Sequence, residues 1–200
     1  MKIAKKFMTL ALATALGVGC ATVGVSAAGS RTSAITVSAE QSAIYEVVQK
    51  IEETEGFADL QAELPAVADA FKQVNEGKME VAAFVDVLKI LSEETTDEEV
   101  KAAIDELIQK LDGKEFVTGF DEFKVLDADK AEKNADGKYE VEISVPSITD
   151  TMENIQLVAY SKEDAKKWQI VDPISVDKEN KTLEVALDDG AFFTVVADAE

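Results

Sequence analysis

The sequence predicts an α+β protein: a helical part of four helices, bundle-like, followed by an antiparallel β-sandwich. Three observations predict it. Apolar residues recur at helical spacing between residues 38 and 113. After Gly113 the period switches to two, most cleanly where Tyr139, Val141, Ile143 and Val145 alternate with Glu140, Glu142 and Ser144. Turn signals then recur roughly every ten residues to the end of the chain, the spacing of short strands in a sandwich.

In chain order, residues 1–28 read as an export signal outside the fold. Lys2, Lys5 and Lys6 make a positive start, and an uncharged apolar stretch runs from Phe7 to Val25. Val25-Ser26-Ala27-Ala28 supplies the small side chains a signal peptidase needs, with the cut after Ala27 or Ala28. Gly17, Gly19 and Gly24 weaken the stretch as a lasting membrane span, so no span is expected in the mature chain. Cys20 follows Gly17-Val18-Gly19, a loose version of a lipoprotein box in which Gly17 stands where a leucine is usual. A lipid anchor at Cys20 is the alternative to a free protein, and the reading preferred is a small apolar residue inside the signal. Residues 29–37 read as a flexible polar lead-in.

The helical domain is expected over 38–113. Its first helix, 38–56, starts at a capping box formed by Ser38 and Gln41 and carries Ile44, Val47, Val48 and Ile51 on one stripe. Pro65 cannot stand mid-helix, so a short turn at 57–60 precedes a helix beginning near Pro65, with Val67, Phe71 and Val74 inward. A third helix, 79–91, presents Val81, Phe84, Val85, Leu88 and Leu91. A fourth begins at a second box, Thr96 to Glu99, presents Val100, Ile104, Leu107, Ile108 and Leu111, and closes at Gly113. Four such stripes bury one another.

The sandwich domain is expected over 114–200, with strands at 116–120, 123–126, 139–145, 155–160, 168–171, 174–176, 183–187 and 192–197. The last strand is apolar on both sides, Phe193, Val195 and Ala197 against Phe192 and Val196. An outer strand should show one wet face, so one of these faces is expected to be covered by the helices. If uncovered, Phe192 and Val196, with the acidic turn Asp188-Asp189, form a candidate interaction surface.

The stretch from Tyr139 to Val196 resembles the immunoglobulin-like β modules of exported bacterial surface proteins. The resemblance is carried by YEVEISVPSI, the tryptophan in KKWQIVD, the DKENKTLEVAL hairpin and the final FFTVV strand. It implies a spacer or adhesion unit, and no catalytic signature comes with it.

Composition excludes several functions. The chain has 20 Lys+Arg against 40 Asp+Glu, a formal charge of −20, and loss of the three signal lysines makes the mature part more acidic still. That field repels phosphate backbones, so nucleic acid is not an expected partner. Histidine is absent and Cys20 is the lone cysteine, which removes Ser-His-Asp and Cys-His chemistry and the usual zinc ligands. No catalytic, cofactor or metal residue is assigned. Ca²⁺ is the one cofactor the acidic loops would suit: Asp127 and Asp129, Asp150, and Asp188 with Asp189. Glu132, Asn134, Asp136 and Gly137 mimic half of a calcium loop but read as a hairpin turn, because Ile143 stands where the closing glutamate would be. Trp168 is a sugar platform or, preferably, a residue of the sandwich core.

The expectation is therefore an exported, non-enzymatic binding or structural module of the bacterial envelope or medium, with an unknown extracytoplasmic protein or envelope component as partner. One alternative is an accessory Ca²⁺- or carbohydrate-binding unit. The other is a small glycoside- or peptidoglycan-active enzyme working through carboxylates alone.

Overall fold

A computed structural model describes residues 34–199. The proposed signal, Cys20 and most of the lead-in lie outside them. Ten strands and four α-helices follow in order: β1 Thr36–Val37, β2 Tyr45–Val48, α1 Glu55–Glu63, α2 Pro65–Asn75, α3 Val81–Glu94, α4 Glu98–Lys110, β3 Lys114–Phe116, β4 Asp121–Val125, β5 Tyr139–Ser144, β6 Gln156–Tyr160, β7 Trp168–Val171, β8 Ser175–Asp177, β9 Thr182–Leu187 and β10 Phe192–Asp198. The protein is α+β, with two antiparallel sheets.

The helix expected over 38–56 does not form. Ser38 opens a turn instead, its carbonyl accepting from the N–H groups of Gln41 and Ser42. The Gln41 side chain, read as a capping group, accepts from Glu142 N at 2.8 Å and so extends the ladder beside β5. Tyr45–Val48 then pairs antiparallel with β4, Tyr45 opposite Val125 and Val48 opposite Glu122. Ile44, Val47, Val48 and Ile51 satisfy a helical stripe, but β-branched residues fit a pleated surface as well. Tertiary contacts decide: the buried Tyr45 ring lies 5.5 Å from Phe123 and 6.0 Å from Tyr139. The lead-in also needs correction at its end, where Ile35 is buried and β1 pairs with β5.

The later helices follow their sequence signals more closely. The segment expected as a short turn at 57–60 is a full helix, α1, capped by Thr54, whose hydroxyl accepts from Phe57 N at 3.1 Å. It stops at Leu64 because a residue before proline is disfavoured in the helical region, and Pro65 opens α2. The cap of α4 is Asp97 rather than Thr96; its carboxylate accepts from Glu99 N and Val100 N.

The first sheet runs β1-β5-β9-β8 and the second β2-β4-β10-β6-β7, with β3 also on β10. Side-chain alternation splits the second sheet between two cores. Tyr45, Phe123, Leu157, Phe193 and Val195 meet Val141, Ile143, Leu183 and Val185 of the first sheet. Phe116, Val158, Tyr160, Trp168, Phe192 and Val196 face the helices and meet Phe57, Phe71, Phe84, Leu88 and Ile104. The second sheet is thus covered on both faces, as the doubly apolar β10 requires. Since β2 precedes the helices and β4 follows them, the helical segment is inserted between two neighbouring strands of one sheet.

Between β3 and β4 the chain leaves β10, and an asparagine fills the gap. Asn75, at the end of α2, donates from Nδ2 to the Phe120 carbonyl at 3.0 Å and accepts from Phe120 N. Phe120 is thereby held flat against Phe71, ring centroids 3.7 Å apart. Thr118 and Thr194 bridge the same break: Thr118 Oγ1 accepts from Val195 N, and Thr194 Oγ1 donates to the Thr118 carbonyl.

Candidate functional site

Cross-strand register places Glu122, Phe192, Tyr160 and Trp168 in one row, on β4, β10, β6 and β7. All four are buried, and the last three belong to the core beneath the helices. Glu122 is the exception in kind: a carboxylate, 2% exposed, in an otherwise apolar and aromatic row. It lies under the first turn of α1, with Gly56 directly over it. A Cβ at Gly56 would stand 2.5 Å from Glu122 Oε1, so a side chain there would push the carboxylate aside.

A cavity of about 150 Å³ opens above this row. Glu122, Phe192, Tyr160 and Leu60, buried residues, line it from within, and Asp59, Glu63, Lys162, Glu163 and Asp189 line its more exposed parts. Five carboxylates therefore face one ammonium. Lys162 already sits between two of the acids, 2.9 Å from Glu63 and 3.3 Å from Asp59. Its pKa is raised by those hydrogen bonds, Glu63 first and Asp59 second. The Tyr160 phenol is pushed above its ordinary value by burial and, after that, by the Glu63 charge, with Lys162 acting the other way. Asp189 is fixed at the rim by accepting from Val125 N at 2.9 Å, next to Gly190, whose φ of +72° makes the turn.

The deep carboxylate is not satisfied. Glu122 Oε2 is buried and accepts no hydrogen bond. Lys124 Nζ stands 3.4 Å away, but off the hydrogen-bond direction, so the contact is electrostatic only. An incompletely satisfied buried carboxylate costs stability.

Of the residues singled out in the sequence, Phe192 and Asp189 both line this cavity. Val196 does not: it is fully buried under the helices and is core, not surface. Asp188 points elsewhere, 3.5 Å from Lys138. Asp127 is held by Lys130, whose hydrogen bond lowers its pKa. Among the described residues no three Asp, Glu, His or Cys side chains gather as metal ligands. Asn134 accepts from Asp136 N and Lys138 N, closing the expected hairpin turn. Trp168 is 1% exposed and presents no platform; it packs under the helices, against Phe71, Phe84 and Tyr160, not between the sheets. Sequence reasoning missed Glu122. Its only signal was a charge at an inward position of DEFKV, and that position is known only once Phe192 is seen opposite it.

A second hollow, of about 350 Å³, lies between Met152, Gln156, Pro173 and Val176. Its polar groups are satisfied internally, Lys178 donating to the carbonyls of Asp150 and Met152 and Gln156 donating to Asp172. Among the described residues no helix is long and apolar enough to cross a membrane. No protein-family model, curated protein or solved structure matches the chain.

Proposed function

We propose that this protein is an exported, non-enzymatic binding module of the bacterial envelope or medium, which engages an extracytoplasmic partner through the acidic cavity between α1 and the second sheet. In this reading the two sheets are an immunoglobulin-like scaffold, and the inserted helices, packed as a bundle, supply the wall that turns a flat sheet face into a cleft. The single observation that carries the proposal is Glu122: a buried carboxylate, its Oε2 without a hydrogen bond, lining a cavity in an otherwise apolar and aromatic row.

Size and composition support a binding role. Small-molecule sites usually measure roughly 300–1,000 Å³, so a cavity of about 150 Å³ suits one side chain better than a sugar chain. With no histidine in the sequence, the commonest general base near neutral pH is missing.

The test is position-specific photo-crosslinking in the cells of origin. A photoreactive residue at Glu163, on the exposed rim, is expected to give one discrete adduct, and the same residue at Lys181, in the β8–β9 turn, none. Equal labelling from both positions, or none from Glu163, would remove the cavity as the binding site.

A further inference from the structure

We infer that the protein associates with a second copy of itself, edge to edge, through β8 and the hollow beside it. This surface shares no residue with the acidic cavity, and the inference goes beyond the binding-module reading. β8 ends the first sheet, and its three residues are exposed. Ile174 and Val176 are 53% and 42% exposed, two of the four large apolar side chains so placed among the described residues. Val176 also lines the hollow of about 350 Å³, with Met152, Ile155 and Pro173. An open edge carrying apolar side chains is a template for another strand.

The charges beside the edge say which strand. Asp172 and Lys178 are the two charged residues lining the hollow. Both are held by neutral groups, Lys178 by the carbonyls of Asp150 and Met152 and Asp172 by the Gln156 amide. Among the described residues neither has an oppositely charged partner. Asp172, Ile174, Val176 and Lys178 stand symmetrically about Ser175. Two copies related by a two-fold axis at Ser175, with their strands antiparallel, therefore set Asp172 of each against Lys178 of the other. Ile174 of each then meets Val176 of the other, a self-complementary contact. Moving the axis to Val176 would set Ile174 against Lys178 instead. A foreign partner of either sign would be repelled by one of the two charges, whereas a second copy answers both.

The backbone contributes little. Pro173 has no N–H, and the Ile174 N–H is already donated to the Glu184 carbonyl at 2.7 Å. The contact is small and each chain carries a formal charge of −20, so the dimer is expected to be weak, with dissociation in the high-micromolar range. Lys181 donates to the Pro146 carbonyl on the β5 side of β9, away from this edge, and so stays silent as a crosslinking position.

The test is sedimentation velocity of the mature chain over a concentration series up to about 1 mM, at about 0.15 M salt, with circular dichroism as the check on folding. A reversible monomer–dimer equilibrium is expected. Asp172→Lys and Lys178→Asp should each weaken it at least tenfold, since each sets like charges against one another. Mixed one to one, the two variants should associate with the strength of the unmutated chain, because each supplies the sign the other lacks. Ile174→Asp should also weaken the dimer at least tenfold. A chain that stays monomeric throughout, or association beyond the dimer, would overturn the inference. So would an effect below twofold for Asp172→Lys or Ile174→Asp, or no association in the mixture of folded variants. Asp172 and Ile174 are exposed, so their variants report even if Lys178→Asp does not fold.

Discussion

At the scale of single residues, the most informative positions are those where the fold accepts a local cost. Glu122 occupies a slot that β10 and β6 fill with Phe192 and Tyr160. Its Oε2 lacks a hydrogen bond, and its partner Lys124 is itself about one-third exposed and can turn to water. Replacing a buried, poorly satisfied charge by an apolar side chain of similar length is commonly neutral or stabilising. Methionine matches the length and adapts to an irregular gap. Glu122→Met is therefore expected to stabilise the protein by about 1 kcal/mol. Urea unfolding reads this effect, and a loss of more than about 1 kcal/mol would show that Glu122 is structural. The reason the sequence hides this residue is parity: a glutamate in a five-residue strand is ordinary until its neighbours fix which way it faces.

At the scale of elements, the helices and the sheet are joined where the sheet is imperfect. The chain between β3 and β4 cannot pair with β10 throughout, and Asn75 supplies both a donor and an acceptor to Phe120. Asn75→Ala leaves two backbone groups without their side-chain partners and loosens the Phe71–Phe120 stack. Each such group costs about 1–3 kcal/mol, so the variant is expected to lose about 2 kcal/mol or more. Hydrogen exchange of the Phe120 amide should accelerate more than exchange in the distant strand pair β5 and β9. Uniform acceleration would mean that the contact is not local. Helix boundaries were legible because they depend on neighbours in sequence: Pro65 opens α2, and a polar residue of the 96–99 box caps α4. The strand at 45–48 was not legible, because its partner β4 lies more than seventy residues further on, beyond the whole helical insertion.

At the scale of the whole molecule, the layers depend on one another. A fragment of residues 114–200 would lack β1, β2 and all four helices. It would lose the edge partner of β4 and expose Phe116, Trp168, Phe192 and Val196, all now buried beneath the helices. Removing one large buried side chain already costs about 3–5 kcal/mol, comparable with the net stability of many domains. The fragment is therefore expected to show no cooperative melt, while 34–200 unfolds in a single transition. A fragment melting at the temperature of the full chain would establish two independent units.

The amino-acid sequence by itself determined what depends on local chemistry and counting. It determined the alternating pattern after Gly113, the placement of three of the four expected helices, the exclusion of histidine- and cysteine-based chemistry, and the demand that β10 be covered on both faces. Only the tertiary structure decided which sheet each strand joins, that Tyr45–Val48 is a strand, and that Val196 is core while Phe192 lines a cavity. The reason is physical. Periodicity tells which side chains share a face, but not what will cover that face, and the side chains that line this cavity come from α1, β4, β6, β10 and the turns beside them.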